Sequence, residues 1–185
     1  MKRILILCAV FLVGVWGCNN QDSVLEPNQP SNQAQTIQFI SLPNILEKSD
    51  NGNSLFDSQI INGKNGGELE TEFSNSWLEI KAKLTVPENA FDGTKKLTMQ
   101  VSRNSTSVDF GPSGTVFQNS CKLDLEYKGL NLKNVNPDNV IFAYIDNSGN
   151  VTKIQYDALI IDKQNKVLKV VGAEINHFSR FGFCL

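Results

Sequence analysis

The chain has 185 residues, a formal net charge of −2 and 41% hydrophobic side chains, enough for one folded domain with a polar extension. Its 17 basic and 19 acidic residues are mixed along the chain without a basic stripe, which excludes a nucleic-acid surface built on clustered lysine and arginine. His177 is the only histidine, which excludes a histidine-based zinc site.

Met1, Lys2 and Arg3 give a positive start, and Ile4 to Val15 is almost wholly apolar. A charged start, a short apolar run and small residues at its end predict an export signal over residues 1–17. The run is too short for a membrane-spanning helix, which needs about 20 residues. Val15-Trp16-Gly17-Cys18 closes the segment and resembles the lipobox of bacterial lipoproteins. The resemblance implies that the Cys18 thiol carries a diacylglycerol, that the chain is cut before Cys18 and that the new amine is acylated. Two or more acyl chains hold a protein firmly on a bilayer, at about 0.8 kcal/mol per buried methylene. The membrane, reached through the lipid on Cys18, is therefore the first expected partner. Asn19, where Asp would signal retention by analogy with enteric sorting, favours the outer membrane, facing periplasm or exterior. Losing Lys2 and Arg3 leaves 15 of the 17 basic residues against 19 acidic ones, a mature net charge of about −4.

Residues 19–35 are polar, carry Pro27 and Pro30, and cannot build a core. They predict a flexible tether spanning about 20–25 Å, ahead of a domain over residues 36–185. Thr36–Leu42, with Ile37 and Phe39 alternating, is the first expected strand, and Pro43 to Asp57 is a loose stretch. Period-2 alternation then predicts strands at Gln59–Ile61, Glu68–Phe73, Trp77–Val86, Lys96–Arg103, Ser107–Phe110 and Cys121–Tyr127. It continues with Val140–Ile145, Val151–Gln155, Ala158–Asp162, Val167–Glu174 and Phe178–Leu185. Asp146–Asn150 and Lys163–Lys166 have hairpin-loop composition. Helix is limited to a turn near Glu88–Phe91 or Asn134–Asp138. About ten short strands joined by turn residues predict an all-β, antiparallel β-sandwich or irregular barrel. Trp77, Phe91, Phe117, Phe142 and Phe183 are the expected large core residues.

Several fragments, taken in order, resemble a ZU5 domain, the β-rich module of ankyrins, netrin receptors, death-domain adaptors and many bacterial surface proteins. They are Gly66-Gly67-Glu68-Leu69, Leu84-Thr85-Val86-Pro87-Glu88-Asn89-Ala90-Phe91 and Phe110-Gly111-Pro112-Ser113-Gly114-Thr115-Val116-Phe117. The strand Lys122–Tyr127 and His177-Phe178-Ser179-Arg180-Phe181 complete the likeness, which covers residues 60–185. The same pieces also make sense locally. Gly66-Gly67 permits positive φ before a strand, Pro87 cannot donate to a ladder and ends one, and Gly111-Pro112-Ser113-Gly114 is a turn. The resemblance implies a role in protein–protein contacts. In some relatives His-Phe-Ser marks self-cleavage, which here would fall between Phe178 and Ser179. The Ser179 hydroxyl would attack the Phe178 carbonyl carbon, the acyl group would move from nitrogen to oxygen, and water would hydrolyse the ester, with His177 as base or carbonyl polariser. Against this, the cut would release only Ser179–Leu185, and a three-residue match arises easily. The structural alternative packs Phe178 or Phe181 and places Ser179 in the ladder.

Other chemistry is thinly represented. No Gly-x-Ser-x-Gly run surrounds a serine. Asp146–Asn150 lacks the glutamate that closes a calcium loop. Glu68, Glu70 and Glu72 alternate on one strand and read as a solvated edge face. Cys121 shares a face with Leu123 and Leu125, whereas inward Phe181 and Phe183 point Cys184 to the opposite face of its strand. A disulfide between the two, which an oxidising compartment allows, would need a bulge. Trp77 is expected in the core; exposed, it would offer a stacking platform for a sugar ring. The expected function is therefore a lipid-anchored envelope protein with a non-enzymatic binding or scaffolding module, needing no cofactor or metal. Its expected partners are envelope proteins or surface polysaccharide. The rivals are an autoproteolytic module and a carbohydrate-binding module.

Overall fold

Strands that alternate apolar and polar residues can hide their apolar faces by packing two sheets together, and this chain does so. The structure, a computed structural model, describes residues 37–42, 55–146 and 148–185. The export segment 1–17, Cys18 and the tether 19–35 lie outside the described residues. Among those described, the strands are β1 Phe56–Asn62, β2 Gly67–Ser74, β3 Glu79–Val86, β4 Thr94–Val101, β5 Ser107–Gly111 and β6 Val116–Lys128. They continue as β7 Ile141–Ile145, β8 Val151–Lys153, β9 Ala158–Asp162, β10 Val167–His177 and β11 Arg180–Cys184. One sheet has the order β1-β4-β5-β11-β7-β8 and the other β2-β3-β6-β10-β9. All pairings between these strands are antiparallel and neither sheet closes on itself, so the fold is a β-sandwich and not a barrel. A 3-10 turn at Pro137–Asn139 is the only helical element among the described residues.

The core forms where the inner faces meet. Leu69, Ile80, Leu84, Leu123, Leu125 and Leu168 come from one sheet, and Leu97, Met99, Val108, Phe142, Phe181 and Phe183 from the other. Phe183 sits edge-on to Phe142 at 5.2 Å and to Tyr127 at 6.1 Å, and this aromatic contact joins the sheets. The outer face of β2 and β3 is charged and paired. Lys83 reaches Glu68 at 2.8 Å and Glu70 at 3.1 Å, and Lys81 reaches Glu72 at 3.1 Å. The alternating glutamates therefore lie on an edge strand as a solvated face, matched by the lysines of its neighbour.

Three expectations need correction, and a bulge in β10 adds to the strand pattern. Trp77 does not open a strand and is only half-buried against the core. The Asn75 side-chain oxygen accepts the N–H groups of Trp77 and Leu78 at 3.0 and 2.8 Å, so ladder pairing starts at Glu79 and Leu78 takes the buried place. Residues 37–42 form two isolated bridges, Phe39 with Cys184 and Ser41 with Ser105, instead of a strand. The segment changes partner halfway: Ile40 N–H donates to the Phe183 carbonyl at 2.9 Å, and Leu42 N–H to the Asn104 carbonyl at 2.8 Å. Ile40 and Leu42 face the core while Ile37 is exposed, the reverse of the expected parity. In β10 the buried set shifts from Leu168 and Val170 to Ala173 and Ile175 across a bulge. Gly172 supplies the left-handed φ of 63° there, and its N–H donates to Asp124 Oδ1 at 2.7 Å. The last strand starts at Arg180, because Phe178 and Ser179 carry the chain from one sheet to the other.

Cys121 and Cys184 are both buried and unbonded, and burial pushes each thiol pKa up to about 12. Cys121 faces the core from β6, while Cys184 lies on the far side of β11, bridged to Phe39. The disulfide left open by the sequence is not formed. Since the thiolate is the reactive species, neither should be alkylated at pH 8 in the folded protein, and both should react in denaturant, as mapped by peptide mass. A Cys121–Cys184 linked peptide under non-reducing conditions would contradict this arrangement.

Candidate functional site

The sheet-to-sheet crossing creates the main feature of one end of the sandwich. β10 ends at His177 and β11 begins at Arg180, leaving two residues to span the layers. Phe178 is held there on three sides. Its N–H donates to the Thr115 carbonyl at 2.8 Å, and its carbonyl accepts the Gly114 N–H at 3.2 Å. Its ring stacks on Phe110 at 5.1 Å and meets Phe117 edge-on at 4.8 Å. The Ser179 carbonyl accepts the Phe110 N–H at 3.0 Å, a single bond just outside the β5–β11 register, which begins at Arg180.

Beside this crossing lies a cleft of about 410 Å³, lined by Phe39, Asp109, Ser113, Asp146, Ser179 and Arg180. Its size falls within the usual range of small-molecule sites, about 300–1,000 Å³. Arg180 and Asp109 are register partners on β11 and β5, and Arg180 Nε donates to Asp109 Oδ1 at 2.7 Å. The guanidinium Nη groups, Asp109 Oδ2 and the hydroxyls of Ser113 and Ser179 have no partner among the described residues. Asp146 differs. Its oxygens accept the N–H groups of Ser148 and Asn150 and the Asn150 side-chain amide, each at 2.8 Å. The Asn150 hydrogen bonds, first of all that of its side chain, hold the Asp146 carboxyl below its ordinary pKa. The loop's own donors thus occupy this carboxylate, as in a hairpin turn.

The triad of the sequence motif is split. The His177 ring packs against Tyr144 at 4.9 Å and Phe181 at 5.6 Å, and shares no hydrogen bond with Ser179. Ser179 instead opens onto the cleft with Asp109 and Arg180. The contact by which His177 would act as base on the Ser179 hydroxyl is therefore not made in this geometry. The Phe178 carbonyl does receive one N–H donor. Trp77 lies outside the cleft. Among the described residues, no group of three or more His, Cys, Asp and Glu side chains is placed to hold a metal ion.

Sequence reasoning singled out Ser179 and missed Phe39, Asp109 and Ser113. Asp109 and Arg180 are 71 positions apart, and only the β5–β11 register brings them together. No protein-family model matches the chain, and no curated protein matches it in sequence.

Proposed function

We propose that this chain is a lipid-anchored cell-envelope protein whose ZU5-like β-sandwich is a non-enzymatic binding or scaffolding module. The carrying observation is the cleft: it presents donors and acceptors that have no partner among the described residues, while the sole histidine is packed against aromatic rings and shares no hydrogen bond with Ser179. A site of that kind holds a ligand or partner by hydrogen bonds and lacks an activated nucleophile. The anchor reading rests on the charged start, the short apolar run and Val15-Trp16-Gly17-Cys18. The outer membrane, facing periplasm or exterior, is the location this reading favours.

Cys18→Ser tests the anchor. The variant should lose incorporated radiolabelled fatty acid and leave the detergent phase on phase separation, while the wild type keeps both. Normal processing and partitioning of the variant would end the lipoprotein reading. The second reading, self-cleavage between Phe178 and Ser179, is favoured by a single contact, the Gly114 N–H on the carbonyl that would be attacked.

A further inference from the structure

We infer that the cleft between Phe39, Asp109 and Arg180 is a binding site for a neutral saccharide; this rests on the reading of the sandwich as a binding module and names its ligand class. The argument starts from charge. Two carboxylates, Asp109 and Asp146, face one guanidinium, so the cleft carries a net negative charge and disfavours phosphate, sulfate or uronate. A metal cation is poorly served too, because Asp146 is filled by its own loop and one oxygen of Asp109 is held by Arg180. A neutral ligand rich in hydroxyl groups fits both facts.

The hydrogen-bonding pattern narrows the ligand further. Arg180 uses only Nε on Asp109, which leaves its Nη donors without a partner among the described residues. Asp109 Oδ2, in the same cleft, has no partner among the described residues either. A carboxylate acceptor and guanidinium donors in one cleft suit a diol, whose hydroxyls can donate to the carboxylate and accept from the guanidinium. Hydrogen bonds to charged groups are the stronger kind, which compensates a sugar for its lost water. Ser113 and Ser179 add two hydroxyls that both donate and accept. Phe39 contributes an aromatic wall, and the electron-rich face of such a ring attracts the weakly positive C–H face of a pyranose. A cleft of about 410 Å³ is roomy enough for one or two sugar rings.

The site also has a fixed base. Gly182 lies where a Cβ would press on the Phe39 ring and the Thr106 carbonyl, so the arm carrying Phe39 seats against β11 only because residue 182 is glycine. Trp77, the aromatic residue the sequence suggested for a sugar, is not in this cleft. The two sites can therefore be told apart by mutation.

The test uses the full lipidated protein in a detergent without a sugar headgroup. Neutral gluco-, manno-, galacto- and N-acetylglucosamine oligosaccharides, and uronate oligosaccharides for comparison, are titrated by calorimetry and saturation-transfer NMR. At least one neutral oligosaccharide should bind saturably with a Kd of about 1 mM or tighter. Arg180→Ala and Ser179→Ala should each weaken it, the former about tenfold or more, without moving the thermal midpoint, and Trp77→Ala should leave it unchanged. Three results overturn the inference: no saturable neutral saccharide, tighter binding of the uronates, or binding that survives Arg180→Ala. A protein that binds no saccharide but keeps its lipid and an intact chain defeats the saccharide site and leaves the envelope binding module standing. A chain cut after Phe178 defeats that module reading instead.

Discussion

A chain ended after Arg180 is expected not to fold. β11 runs in the interior of the six-stranded sheet, paired with β5 on one side and β7 on the other. Losing it orphans ladder groups on both neighbours and removes Phe181 and Phe183, each fully buried. Large aromatic truncations in a core cost about 3–5 kcal/mol apiece. Two of them together reach the whole stability of an ordinary domain, about 5–15 kcal/mol. The truncated protein should show no cooperative urea transition and no near-UV circular dichroism. A cooperative transition in that variant would mean that β11 is dispensable. The position of β11 also dictates how self-cleavage must be examined. A fragment Ser179–Leu185 freed by cutting after Phe178 would stay hydrogen-bonded between β5 and β7, so size-exclusion chromatography would miss it. Intact mass under denaturing conditions is the valid readout, and a single uncut species is the expected result. A species ending at Phe178, abolished by Ser179→Ala and insensitive to protease inhibitors, would establish the self-cleaving reading.

What the sequence disclosed, and what it hid, follow from the range over which each signal acts. The alternation in Glu68–Phe73 or Cys121–Tyr127 is a local consequence of the two-residue strand repeat. It revealed the strands, their inward faces and hence the all-β class. It also placed Cys184 opposite Phe183. Long-range register was hidden, because Asp109 and Arg180 become neighbours only through the order in which strands are laid side by side. Breaks in parity were hidden as well. Leu168, Val170, Ala173 and Ile175 share a face only because Gly172 inserts an extra residue, and the lysine and aspartate that lock this bulge, Lys122 and Asp124, sit on another strand. The same applies to Trp77, whose size suggested the core. The Asn75 side chain turned the backbone one step early and gave that place to Leu78. For the candidate site, the motif His177-Phe178-Ser179 lies at the end of the sandwich that holds the cleft, but it gave no sign that His177 and Ser179 would be placed apart. Packing against Tyr144 and Phe181 decides where His177 lies, and neither of these residues is within its own strand.

Removing residues 37–42 is expected to weaken the domain by about 3–6 kcal/mol, the burial of Ile40 and Leu42 at roughly 1.5–3 kcal/mol each. Backbone bonds go with them: Thr106 N–H loses the Ile40 carbonyl at 2.8 Å, and Leu185 loses both bonds to Gln38. The loss is smaller than for β11, since the segment lies at the margin of the sheet and makes bridges, not a ladder. The shortened protein should therefore still unfold cooperatively, at a markedly lower urea midpoint. It should also gain a specific chemical mark. Cys184, Ser107 and Gly182 are covered on the outer face of a sheet, next to the arm that carries Phe39. Without the arm Cys184 meets solvent, its thiol pKa falls back toward the ordinary value, and alkylation should appear there under native conditions. Cys121, facing the core from β6, should stay unlabelled in the same sample. An unchanged midpoint would show that the arm is a passive leader, and labelling of both cysteines would show general loosening. Selective labelling of Cys184 would show that residues 37–42 cover one outer face of the fold, with Phe39 lying both over β11 and in the wall of the cleft.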